Sequence, residues 1–157
     1  MKKSVLVSLV LLFTLLSQAQ VSKSVTSTSG GLAAAIGTDI STVTNLTITG
    51  TIDATDFVTM YNMPLLAVLD LSAVTIDAYT GDNGPLGRGQ TYLSNAIPAT
   101  AFKMNKTGKT SLTTVILPAT LTSVGNLAFG NCSGLTSITI PSGVTTIGGQ
   151  AIDGCTN

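Results

Sequence analysis

Apolar residues return along this chain at a fixed step of 23. Leu112, Pro118, Gly125, Ala128 and Cys132 recur as Leu135, Pro141, Gly148, Ala151 and Cys155. Apolar character recurs with them: Val115 as Ile138, Leu117 as Ile140, Leu121 as Val144, Val124 as Ile147, Phe129 as Ile152. The register continues upstream. Val43, Leu46 and Ile48 share a spacing with Leu66, Leu69 and Leu71; Leu46 and Leu69 are 23 residues apart, and Leu69 and Val115 are 46 apart, twice that step. A period of this length marks a repeat architecture, in which one unit is too small to bury its own apolar face.

Each unit predicts the same local structure. Val115 and Leu117 alternate with period two, so both side chains point to one face of a short strand. Leu112, Leu121, Val124, Ala128 and Phe129 turn inward from the rest of the coil. Pro118 stands at the strand's end, where its missing N–H matters least. Gly125 reads as a turn residue with positive φ, and Ala128-Phe129 as a single helical turn on the outer side. The fold class expected is an α/β solenoid of coils of about 23 residues. Its parallel β-sheet lines the concave face, and short helical or irregular turns form the convex face.

Four segments depart from the repeat. Residues 1–19 read as a signal peptide: Lys2 and Lys3, an apolar run from Ser4 to Leu16, and a small-residue exit at Ser17-Gln18-Ala19. That run is shorter than the roughly 20 residues a spanning helix needs. No later stretch is long enough to be a transmembrane segment. Residues 20–43 read as an N-terminal cap, with a short helix over Gly30–Ile36. Residues 44–157 are the repeat region, enlarged by a loop at about 77–96 that is rich in Gly, Asn, Tyr and Thr. Ile97, Ala101 and Phe102 then restate the Val124, Ala128, Phe129 pattern, and an insertion, Lys103–Ser111, precedes Leu112. No cap follows the last repeat at Asn157, so the expectation is a fragment or truncated form of a longer solenoid, with stacking at its uncapped C-terminal end.

On these residues the chain resembles the BspA-like leucine-rich-repeat surface proteins of Gram-negative gut and oral bacteria. The motifs that carry the resemblance are Leu135-Thr-Ser-Ile-Thr-Ile-Pro-Ser-Gly-Val-Thr-Thr-Ile-Gly148, the Ala128-Phe129 block with Cys132, and Ile97-Pro-Ala-Thr-Ala-Phe102. Leu46–Asp53 and Leu69–Ser72 look like the segments that open such proteins. The resemblance covers about residues 30–157; its departure is Ile152, where the family has Phe. It implies a curved solenoid with surface-exposed adhesive or ligand-binding roles, and no particular ligand.

Composition narrows the chemistry. The seven acids are all Asp, and His and Glu are absent. Ser-His-Asp and Cys-His pairs and imidazole metal ligands are therefore unavailable. The expectation is no enzyme, no cofactor and no metal. Seven cations balance seven acids over the whole chain, and loss of the leader's two lysines leaves the remainder mildly acidic. It has no basic stripe for nucleic acid. Asp53 and Asp56 read as turn or cap residues of a helix beginning near Phe57. Cys132 and Cys155, one coil apart, read as core thiols rather than a disulfide. Asp77–Gly84 is oxygen-rich but lacks calcium-loop spacing. The glycine cluster Gly84–Gly89 lacks the strand-to-helix setting of a phosphate loop. Lys103, Lys106 and Lys109 make a local basic patch, and read as a solvated loop.

The surface expected to bind is the concave strand face. Its outward positions form two ladders: Asn45, Val68, Thr114 and Ser137, beside Thr47, Asp70, Ile116 and Thr139. Such a face suits a protein or glycan held by many weak contacts. The function expected is a secreted or cell-surface binding or adhesion module for an extracellular protein or glycan. It would be exported to the cell surface or medium, with the periplasm as the alternative. A non-binding spacer is the competing reading. A polysaccharide-active β-helix enzyme is the third, disfavoured because each coil shows one strong strand rather than three.

Overall fold

The computed structural model describes residues 19–155; the leader expected at 1–19, Ala19 apart, lies outside them. Alternating apolar and polar residues build the strands β1 (Ser22–Ser27), β2 (Asn45–Ile52) and β3 (Val68–Ile76). Helices α1 (Leu32–Ile36) and α2 (Ala54–Asn62) follow β1 and β2. The enlarged unit then adds β4 (Tyr79–Gly81) and β5 (Gln90–Tyr92), β6 (Ala96–Ile97), and β7 (Lys103–Met104) and β8 (Thr107–Gly108). The last two units hold β9 (Thr114–Ile116), β10 (Ser123–Val124), β11 (Ser137–Thr139) and β12 (Thr146–Ile147).

One parallel sheet runs in the order β1-β2-β3-β9-β11, and a second joins β12, β10 and β6. Leu46 pairs with Leu69, Leu69 with Val115, and Val115 with Ile138, so the step of 23 is the step between neighbouring strands. The unit of doubled length keeps register by looping out between β3 and β9. This strand-rich architecture, with few helices, is a repeat fold.

Register also runs one unit further back than the pattern showed. Ser22 pairs with Asn45 and Val25 with Ile48. The rung equivalent to Leu46 is Lys23, whose ammonium reaches the Ile36 carbonyl at 2.7 Å and the Asp39 carboxylate at 2.5 Å. A lysine in the apolar slot hid this strand.

Between the sheets lies one continuous core. Phe129 stacks on Phe102 with centroids 5.1 Å apart, and Phe102 meets Phe57 edge-on at 6.0 Å. This column ties α2 to the outer turns of two coils, and such ring pairs add to the area they bury. Leu112, Leu121, Val124 and Ala128 are buried as the pattern requires.

Threonine does a repeated job at the seams. Thr44, Thr113 and Thr136 each donate their hydroxyl, at 3.1 Å, to a carbonyl of the preceding coil: Val21, Ala67 and Thr113 respectively. Thr122 and Thr145 do the same for Asn95 and Thr122.

Two local expectations are corrected. Gly125 does not adopt positive φ: a Cβ there would lie 2.4 Å from the Ala99 nitrogen, so the glycine serves close packing of coil on coil. Gly148 repeats this against Asn126. Ala128-Phe129 is not a helical turn either. The left-handed residue is the one before the alanine, at Thr100, Leu127 and Gln150, with φ of 58, 55 and 55°. In this turn the left-handed residue's own N–H and that of the residue two later reach the adjacent coil. Thr100 donates to Asn126 at 2.9 Å and Leu127 to Gly149 at 3.0 Å, and Phe102 donates to Ala128 and Phe129 to Ala151, both at 2.7 Å.

The α2 N-terminus is a pin. Asp53 caps the helix by accepting from the Thr55 N–H at 2.8 Å. The buried Asp56 carboxylate accepts from the N–H groups of Asp53, Gly30 and Leu32 at 2.9, 2.9 and 3.0 Å. The helix thus begins at Ala54, three residues before the position expected, and Asp56 fastens it to the turn before α1. Burial raises the Asp56 pKa, with the three N–H donors opposing the rise. Removing an acceptor strands buried donors at about 1–3 kcal/mol each. Asp56→Ala should therefore lower the urea unfolding free energy by roughly 3 kcal/mol with the m-value unchanged. A loss under about 1 kcal/mol would show that Asp56 is not a pin.

Candidate functional site

The five-stranded sheet sets its outward residues in rows. Asn45, Val68, Thr114 and Ser137 fall in one register line, and Thr47, Asp70, Ile116 and Thr139 in the next. Strand alternation turns these side chains away from the core. Ile116 is the exposed apolar member, at 45 %. Asp70 is the charged member, and its carboxylate accepts from the Ser72 N–H at 2.9 Å. That bond sits where β3 holds one residue more than β2, between the Thr47 and Thr49 pairings. A bulge of this kind re-aims the residues around it.

The rows are longer than the sequence showed. Ser22 extends the first and Ser24 the second, and a third pairs Thr26 with Thr49, their hydroxyls 2.9 Å apart. The signal was present as Val25, one step of 23 before Ile48, but Lys23 masked it. Asn45 and Val68 also border a shallow cavity of about 470 Å³ that takes in Thr44, Leu65 and Thr113. Ser137 borders another, of about 280 Å³, with Ile138, Ile152 and Cys155. The remaining members of the two rows present an open face.

Groups with reactive chemistry are accounted for elsewhere. Cys132 and Cys155 are free thiols. Each faces the carbonyl of a core phenylalanine one coil back: Phe102 at 3.5 Å and Phe129 at 3.3 Å. Burial pushes Cys132 up to about 11 and also raises Cys155, so both thiols resist ionisation. Asp77 accepts from the Ser29 hydroxyl and Asp82 from the Gly89 N–H, each at 2.5 Å. Among the described residues no group of three or more His, Cys, Asp or Glu side chains could hold a metal ion.

The basic patch divides. Lys103 and Lys106 remain at the surface, but Lys109 is buried and is no solvated loop residue. Its ammonium donates to the Tyr61 carbonyl at 3.1 Å and to that of Met63, closing the C-terminal end of α2. Cations belong there because the final helix carbonyls lack partners.

Parallel strands in register, a continuous apolar interior and outer turns that bond coil to coil define a protein of repeated coils. Residues 95–157 match the family model described as the BspA type leucine rich repeat region, in six copies. Over that stretch the chain is a BspA-like leucine-rich-repeat protein. The match begins at Asn95, so the coils before it keep the register without being part of the matched region. Comparison with curated proteins finds no match.

The buried lysine carries a pH test. Burial lowers its pKa to about 8 from 10.5, with Cys132 opposing. The unfolded chain therefore binds this proton more tightly than the folded one. Between about pH 8 and 10.5 the residue makes stability rise with pH. The difference in unfolding free energy between wild type and Lys109→Met should grow across that window, measured by urea titration at fixed ionic strength. Parallel profiles for the two proteins would contradict the assignment.

Proposed function

We propose that this chain is an exported, cell-surface binding module whose coils form a curved solenoid and whose concave sheet face recognises an extracellular protein or glycan. The observation that carries this reading is the in-register display of small polar side chains, with Ile116 and Asp70 among them, across five parallel strands. A face so built offers many modest contacts at a repeated spacing, which favours an extended ligand over a small one. Residues 1–19 act as the export signal, and residues 20–43 close the first end of the stack. Among the described residues no helix is long and apolar enough to cross a membrane. The near balance of seven cations and seven acids, with no His and no Glu, supports a neutral binding surface over a nucleic-acid site or a catalytic one.

The same reading has a further coil or copy stacking beyond β11 and β12. Support for it comes from Ile147 and Ile152, which are 57 and 51 % exposed where their counterparts Val124 and Phe129 are buried.

A glycan and matrix-protein array probed with the chain tests the proposal. Thr114→Arg and Thr139→Trp, which add bulk on the outward rows, should each weaken any array hit at least about tenfold while leaving the melting temperature within a few degrees. Hits that survive both substitutions would move the site off this face. An empty array would favour the spacer.

A further inference from the structure

Apart from the outward rows, with which it shares no residue, the two insertions of the enlarged unit border an open cavity of about 540 Å³. One wall is the β7–β8 hairpin, with Lys103, Asn105 and Lys106. The other is the loop between β4 and β5, which brings Leu86. Leu127 and Asn131 come from the outer turns of the stacked coils.

The cationic wall is built to stay in place. Asn105 and Lys106 have φ of 50 and 70°, a two-residue turn of the type that matches hairpin twist. The Tyr61 hydroxyl donates toward the carbonyls of Met104 and Thr107, both at 3.2 Å, which ties both strands of the hairpin to α2. Lys109 fixes the chain just after it. A wall held from two sides loses little freedom on binding.

Charge and shape select the occupant. Lys103 and Lys106 stand on one wall with no carboxylate among the residues that line it. Among the described residues the ion pair formed is Lys23–Asp39, at the far end of the stack. The cavity therefore calls for an anion. Leu86, 49 % exposed, and Leu127 offer apolar contact. Asn105, Asn131 and Thr100 offer amide and hydroxyl partners. No aromatic ring lines the space, so nothing there would stack a nucleobase. The flanking strands are two or three residues long and already paired, so they give a peptide no edge to extend. A volume of this size is ordinary for a small-molecule site. We infer that this cavity binds a carboxylated sugar, of the uronic-acid class and disaccharide size, with the carboxylate between Lys103 and Lys106 and a C–H face on Leu86 and Leu127.

This inference does not rest on the sheet face, and its test keeps the two apart. A glucuronic-acid disaccharide, its glucose-containing neutral counterpart and the dipeptide Asp-Asp would each be titrated into the full chain by calorimetry. The acidic sugar should bind at least about tenfold more tightly than either control, as two charge-assisted contacts require. Lys103→Gln and Lys106→Gly, the latter suited to the left-handed turn position, should each remove most of that preference without lowering the melting temperature. Thr139→Trp should leave it unchanged. Equal binding of the neutral sugar, equal binding of Asp-Asp, indifference to both lysine substitutions, or no binding of the acidic sugar would each overturn the inference.

Discussion

Everything in this molecule depends on parallel strands meeting at one exact residue step. A single coil leaves its apolar side chains with one packed flank and its backbone with unpaired groups. Stacking removes both deficits together: Leu69 gains Leu46 on one side and Val115 on the other, while the main chain gains its ladder. Because side chains alternate with period two, a slip of one residue would turn the whole apolar set outward. The threonines at the seams and the left-handed residues before each alanine serve the same register, by directing hydroxyls and N–H groups to the neighbouring coil. Insertions are tolerated where they leave that register alone. The enlarged unit spends 46 residues between Leu69 and Val115 and still returns to the next strand position.

How much of this could be read beforehand differs by residue. The inward ladder of Leu46, Leu69, Val115 and Ile138 was legible because a buried strand position admits few residue types. The outward rows were legible as their complement. β1 was not, since a lysine reaching an acidic partner substitutes for leucine at the rung, and pattern reading scores it as polar. Gly125 stands out in the repeat, but glycine answers both a demand for positive φ and a demand for space, and only contacts tell them apart. The left-handed position at Leu127 left no trace, because leucine gives no warning of it.

The cavity between the insertions was beyond sequence reading for a different reason. Leu86, Lys106 and Leu127 come from three segments with no shared period, and only the return of the chain to register brings them together. The lysines at 103, 106 and 109 look equivalent in the sequence. Packing separates them, since Lys109 faces the carbonyls that end α2 while its neighbours stay at the surface. Repeats thus announce the scaffold and conceal what the irregular parts do.

The Lys23–Asp39 pair gives the stack a polarity. At most rungs a neighbouring strand meets a hydrocarbon surface, but at β1 it would have to strip water from an ammonium already engaged by a carboxylate. An inward charge on an edge strand is a known guard against unwanted pairing. Pairing of a further strand against β1 therefore carries a desolvation cost that the hydrocarbon rungs of the other strands do not impose.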